Sequence, residues 1–110
     1  MNELENQITD TLYVWHKGKD KAITFTNLAT VLDINTRTLR RLISHLVTEH
    51  RIPICSCSAH GKGYFFVDTI AERDHHYNEL ISRSRKLKTR AYSFKEACYS
   101  FNNAKLFEAI

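Results

Sequence analysis

Proline and glycine are scarce. The chain of 110 residues holds one proline and three glycines, which excludes a collagen-like repeat and leaves no Pro-rich or Gly/Ser-rich stretch to act as a linker. Long apolar runs are also missing. Uninterrupted apolar stretches reach only four residues, as in 64–67, against the roughly 20 that a membrane-spanning helix needs. The opening residues Met1-Asn2-Glu3-Leu4-Glu5 are acidic and carry no apolar segment, so no secretory signal is expected. The three cysteines follow no disulfide framework, a usage that fits a reducing cytosol, and a cytoplasmic location is expected. No Ser-His-Asp order, Gly-rich phosphate loop or His-Glu-x-x-His motif occurs, so neither an enzyme nor a cofactor is expected.

What is present is the composition of a soluble globular domain, 43% apolar and 25% charged, at a length that suits a single domain over 1–110. The formal net charge of +4 is unevenly spread. Residues 1–33 carry −2, 34–63 carry +4, 64–82 carry −3 and 83–110 carry +5. A basic block between acidic ones is a local field, and a polyanion is its natural partner, nucleic acid before anionic lipid. Charge alone favours a solvated helix face.

Leu4, Ile8, Leu12 and Trp15 recur at helical spacing, which predicts a helix over 3–16 ended by Gly18. Ala22-Ile23-Thr24-Phe25 is β-prone. Thr26 can cap a short helix over 27–32, and Asp33-Ile34-Asn35 reads as a turn. Residues 36–49 are the most informative. Leu39, Leu42, Ile43, Leu46 and Val47 follow an i, i+3, i+4, i+7, i+8 pattern, a buried stripe. At ~100° per residue, Arg37, Arg41, Ser44 and Thr48 fall on the opposite face, with Thr38 and His45 on one flank and Arg40 on the other. No carboxylate interrupts that face before Glu49. Residues 54–58 and 64–67 predict two strands of a hairpin around the basic tip Ala59-His60-Gly61-Lys62-Gly63. Asp68 is the expected cap of a helix over 69–91. Ser93-Phe94-Lys95-Glu96 has the capping-box pattern and predicts a further helix over 94–108.

The predicted fold class is therefore mainly α with a small β-hairpin (α+β), its core over 22–67 reading as a winged helix-turn-helix with extra N- and C-terminal helices. A helix fits the major groove of B-DNA, where arginine pairs with guanine and Ser or Thr bonds to several bases. A rigid apolar back and a carboxylate-free polar front are what that task requires. The slim basic hairpin tip suits the phosphate backbone or the minor groove.

These residues carry a resemblance. The run Leu28-Ala29, Leu32-Asp33-Ile34-Asn35-Thr36-Arg37-Thr38-Leu39-Arg40-Arg41-Leu42-Ile43 and Leu46 resembles winged helix-turn-helix domains. Gly61-Lys62-Gly63-Tyr64 is similar to the wing of the biotin-operon-repressor type. The likeness spans about 24–67, under half of the chain, and its motif is more specific for the fold than for any one protein. It implies that the second helix of the pair reads the major groove and that the wing touches the backbone. Carried over, the DNA-contacting residues are Thr36, Arg37, Thr38, Arg40, Arg41, Ser44, His60 and Lys62. No ligase domain accompanies them, so no biotin chemistry is implied. The short length with flanking helices looks like small regulators of phages and other mobile elements. The family usually has a glycine at the helix stop, where this chain has Glu49-His50-Arg51, and a left-handed turn at His50 is one way out of the helix, at some cost.

The expected function is sequence-specific binding of double-stranded DNA in transcriptional regulation. Rivals are an origin-binding replication protein and a protein-interaction adaptor, such as a replication accessory or a phage protein inhibiting a host factor. Cys55 and Cys57 with His60, and with His45 or His50, offer metal-ligand types, but a second cysteine pair is lacking and no metal is expected. The adjacent His75 and His76 point about 100° apart on a helix and read as solvated surface. The basic run 83–90 is equally consistent with contacts to flanking phosphates and with a solvated helix end. Ile70, Tyr77, Ser84 and Ala91 are spaced by seven with Leu80 and Leu87 between them, which favours a homodimer through the helices over 69–91 and 94–108, with packing against the first helix as the alternative.

Overall fold

The computed structural model describes residues 1–57 and 63–101. The elements run α1 (Glu3–Trp15), β1 (Ile23–Thr24), α2 (Phe25–Leu32), α3 (Thr36–Thr48), β2 (Ile54–Cys57), β3 (Gly63–Phe66) and α4 (Ile70–Ser100), with a 3-10 turn at Lys19–Lys21. The three strands form one antiparallel sheet in the order β1-β3-β2. The fold is thus the expected mostly helical α+β class, with a helix-turn-helix followed by a two-stranded hairpin. The chain divides into two compact units, Met1–His76 and Tyr77–Ile110.

In the first unit three residues of the predicted stripe are core, while Leu42 is half-buried and Val47 is exposed. Leu39, Ile43 and Leu46 of α3 meet Ile8 and Leu12 of α1, Leu28 and Ala29 of α2 and Ile54 of β2. Leu39 is fully buried, so its truncation to alanine costs about 2–5 kcal/mol. Asn2 opens α1 with a capping box. Its side chain accepts the Glu5 N–H at 2.8 Å, and Glu5 Oε1 accepts the Asn2 N–H at 3.3 Å.

Helix α2 starts two residues earlier than expected. Thr24, not Thr26, accepts the Asn27 N–H at 3.1 Å, because Thr24 can end β1 and cap α2 at once. Asp33 closes α2 in the left-handed region at φ 55°. The Ile34 N–H then bonds back to Ala29 at 3.0 Å, and Asn35 caps α3 by accepting the Thr38 N–H at 2.7 Å. At the far end of α3 the left-handed residue is Arg51, φ 56°, rather than His50. The Ile52 N–H turns back to the Leu46 carbonyl at 3.1 Å.

Gly63 pairs with Thr24 on one side and Cys57 on the other. A Cβ there would lie 2.5 Å from the Ile23 carbonyl oxygen, so the centre of the sheet closes only on a residue without a side chain. Residues 58–62, with the expected tip His60 and Lys62, lie outside the described residues.

The segment after the sheet departs from expectation twice. Thr69, not Asp68, caps α4. Its hydroxyl accepts the Glu72 N–H at 3.1 Å, while Glu72 Oε1 accepts from Asp68 at 2.9 Å and from Thr69 at 3.3 Å. The expected helices over 69–91 and 94–108 are one continuous helix from Ile70 to Ser100, and residues 102–110 lie outside the described residues. A capping box at Ser93 would satisfy two of the amides that a break exposes, whereas continuing the helix satisfies them all. No Pro or Gly at 91–95 forces a stop. No helix among the described residues is long and apolar enough to cross a membrane.

Candidate nucleic-acid interface

Helix α3 anchors the candidate interface by its buried side. Arg37, Arg40, Arg41 and Ser44 are exposed on it, and Thr36 and Thr38 are half-buried at its start. None of the ion pairs among the described residues engages Arg37 or Arg41. Two guanidiniums one helical turn apart therefore point away from the core with their donors available.

Arg40 differs. Its guanidinium lies over the Phe25 ring, 4.7 Å from the centroid. Burial pushes the Tyr64 hydroxyl pKa up, and the Arg40 guanidinium offsets only part of that rise. Arg40 is thus shared between the first helix of the pair and the sheet. The front of α3 is asymmetric: Arg37, Arg41 and Ser44 are its unencumbered polar residues.

The sheet beside α3 is chemically quiet. Burial, and then the Glu72 carboxylate, push the Cys55 thiol up to about 11, so it stays protonated at neutral pH and is a poor metal ligand. Glu72 itself is held below the usual carboxylate range by the N–H of Lys19, donated at 2.8 Å, and by those of Asp68 and Thr69. Its role is to tie the 3-10 turn to the start of α4.

In the second unit, Arg83, Arg85, Lys86, Lys88 and Arg90 are all exposed, and Arg83 meets Glu79 of the preceding turn at 3.9 Å. Tyr77, Leu80, Leu87, Phe94 and Phe101 are exposed as well.

One convergence was not legible as a motif. His45, on the flank of α3, and His50, just past its end, both approach the buried carboxylate of Glu5 from α1. The three residues are 40 and more positions apart from α1 to α3, and only the packing of the two helices joins them. No family model, characterised protein or solved structure matches the chain.

Proposed function

We propose that this chain binds double-stranded DNA sequence-specifically and regulates transcription, as a winged helix-turn-helix of the biotin-operon-repressor type. Helix α3 enters the major groove, Arg37, Arg41 and Ser44 reach base edges, and Thr36 and Thr38 with the first-turn amides take phosphate. Arg40 braces the helix from its flank, over Phe25, while facing the adjacent backbone. The wing over 59–63 brings His60 and Lys62 to the backbone or minor groove. No chemical step is assigned to the chain, and its three free cysteines suit the cytosol.

The observation that carries this reading is the division of α3 into a buried apolar back and a front with no carboxylate and two exposed arginines that form no ion pair among the described residues. A pairing of two copies through α4 belongs to the same reading, and the spacing along that helix supports it. Tyr77, Leu80, Ser84, Leu87, Ala91, Phe94, Cys98 and Phe101 alternate in steps of three and four, an a/d seam. One module buries only about 600–1,000 Å² on DNA, so two give the specificity that regulation needs.

A fluorescence-anisotropy titration against mixed duplexes at two salt concentrations tests the reading. Each phosphate contact contributes about −0.9 to the slope of log K against log salt, so a steep loss of affinity is expected. A flat response, or no binding at low salt, overturns it in favour of a protein adaptor. Selection from random duplexes should return a palindromic site.

A further inference from the structure

The cluster at the end of α3 shares no residue with those assigned to DNA contact and has its own chemistry. Glu5 is the one buried charged residue among those described, with a side chain 7% exposed. Its Oε1 is occupied by the Asn2 N–H. Its Oε2 is buried and accepts no hydrogen bond. Two imidazoles converge on that oxygen, His50 Nε2 at 3.4 Å and His45 Nε2 at 3.7 Å. Their rings meet edge to face, 5.1 Å between centroids. One ligand atom from each of the three side chains lies within 4.8 Å of the other two.

A carboxylate oxygen buried without a hydrogen bond is costly, and a cation at the focus of the cluster removes that cost. The spacing fits a small ion. Bonds of about 2.0–2.2 Å in a tetrahedral arrangement set neighbouring ligand atoms about 3.3–3.6 Å apart, close to the separations between Glu5 and the two histidines. Imidazole nitrogens select late first-row ions such as Zn2+ over Mg2+ or Ca2+, which take oxygen ligands. Three protein ligands leave one position for water, and the half-exposed side chain of His45 leaves the site open to solvent. The backbone builds the site: Arg51 turns the chain back at the end of α3, and the capping box aims Glu5 away from solvent.

We propose that Glu5, His45 and His50 form a binding site for a divalent transition-metal ion of the Zn2+ class, clasping the first turn of α1 to the end of α3. The site goes beyond the DNA-binding reading and shares no residue with it.

Calorimetric titration of the metal-free full chain with Zn2+ is the test. The expected result is one ion per chain, a higher melting temperature with Zn2+, and no shift with Mg2+. His45→Ala and His50→Ala should each weaken Zn2+ binding by more than the roughly 10–100-fold that loss of an outer-shell partner costs. Co2+ bound to the unaltered chain should show a ligand-field spectrum without a thiolate charge-transfer band. No Zn2+ binding by the unaltered chain, unchanged binding in both variants, or a thiolate band that places the ion on cysteine each overturns the proposal. The Co2+ spectrum decides even if a variant fails to fold, and none of these readouts uses DNA.

Discussion

The guanidinium of Arg40 rests on the face of Phe25, so the first helix of the helix-turn-helix pair holds one arginine of the second. Arg41, its neighbour in sequence, has no such hold. The two should therefore respond differently to removal. Arg41→Ala should cost about 1–3 kcal/mol of affinity for a selected duplex and relax its sequence preference. Arg40→Ala should lower folding stability by about 0.5–1 kcal/mol, the value of an exposed cation–π contact, and leave preference nearly intact. Lys62→Ala should weaken all duplexes alike. Anisotropy against selected and scrambled duplexes, with urea unfolding alongside, measures all three; greater loss of preference in Arg40→Ala than in Arg41→Ala would refute the assignment.

Salt should act in opposite directions on the two kinds of association. In a parallel pairing of α4, Arg83 faces the partner's Lys88 and Arg90 faces the partner's Lys95, like charges flanking an apolar seam. Screening them should tighten the dimer about threefold between roughly 50 and 500 mM salt. DNA affinity over about 50 to 200 mM should fall by 10³ or more for six or more phosphate contacts. Sedimentation equilibrium across the salt series reads the first effect. A dimer that weakens steadily with salt would exclude this pairing, and a chain that stays monomeric would exclude the seam as an interface.

Gly63→Ala tests the sheet. The added methyl would need the Ile23 carbonyl, 2.5 Å away, to move. A loss of about 1–3 kcal/mol, the usual cost of overpacking, is expected in urea unfolding, together with weakened DNA binding as the hairpin shifts. A loss below about 0.5 kcal/mol would show that β1 yields freely.

Cys55 predicts a pH dependence of defined sign. Its thiol ionises near 11 when folded and near 9.0 when exposed. Between those values the unfolded chain has released a proton that the folded chain keeps, so stability is full below about pH 9 and falls as pH rises towards 11. The fall attributable to this group is at most about 3 kcal/mol, and it should vanish in Cys55→Ala. Alkylation at pH 7.5 should also be about a hundredfold slower at Cys55 than at an ordinary thiol. Labelling of Cys55 at the same rate as Cys57 would contradict both expectations.

The parts of the molecule that were legible in the sequence are those decided by local periodicity. Leu39, Ile43 and Leu46 lie where a 3.6-residue repeat puts them. Choices between near-equal local options were not legible. Thr24 and Thr26 are both competent caps, and the demand of β1 decides for Thr24. His50 and Arg51 can both turn left-handed, and the bond from Ile52 to Leu46 decides for Arg51. The Ser93 capping pattern competes with an unbroken helix and loses. The cluster at Glu5 depends on contact between α1 and the end of α3, 40 and more residues away, and no local pattern encodes such a meeting.

The leucine back and the arginine front of α3 are two sides of a single 13-residue rod. One residue inserted between Thr38 and Leu42 would swing everything after it by ~100°, carrying core side chains into water and Arg41 towards the interior. Length is therefore closed to variation in this rod. Under the proposed reading, target choice drifts by exchange of side chains at 37, 41 and 44, which makes those positions the natural place to diversify a library for altered recognition.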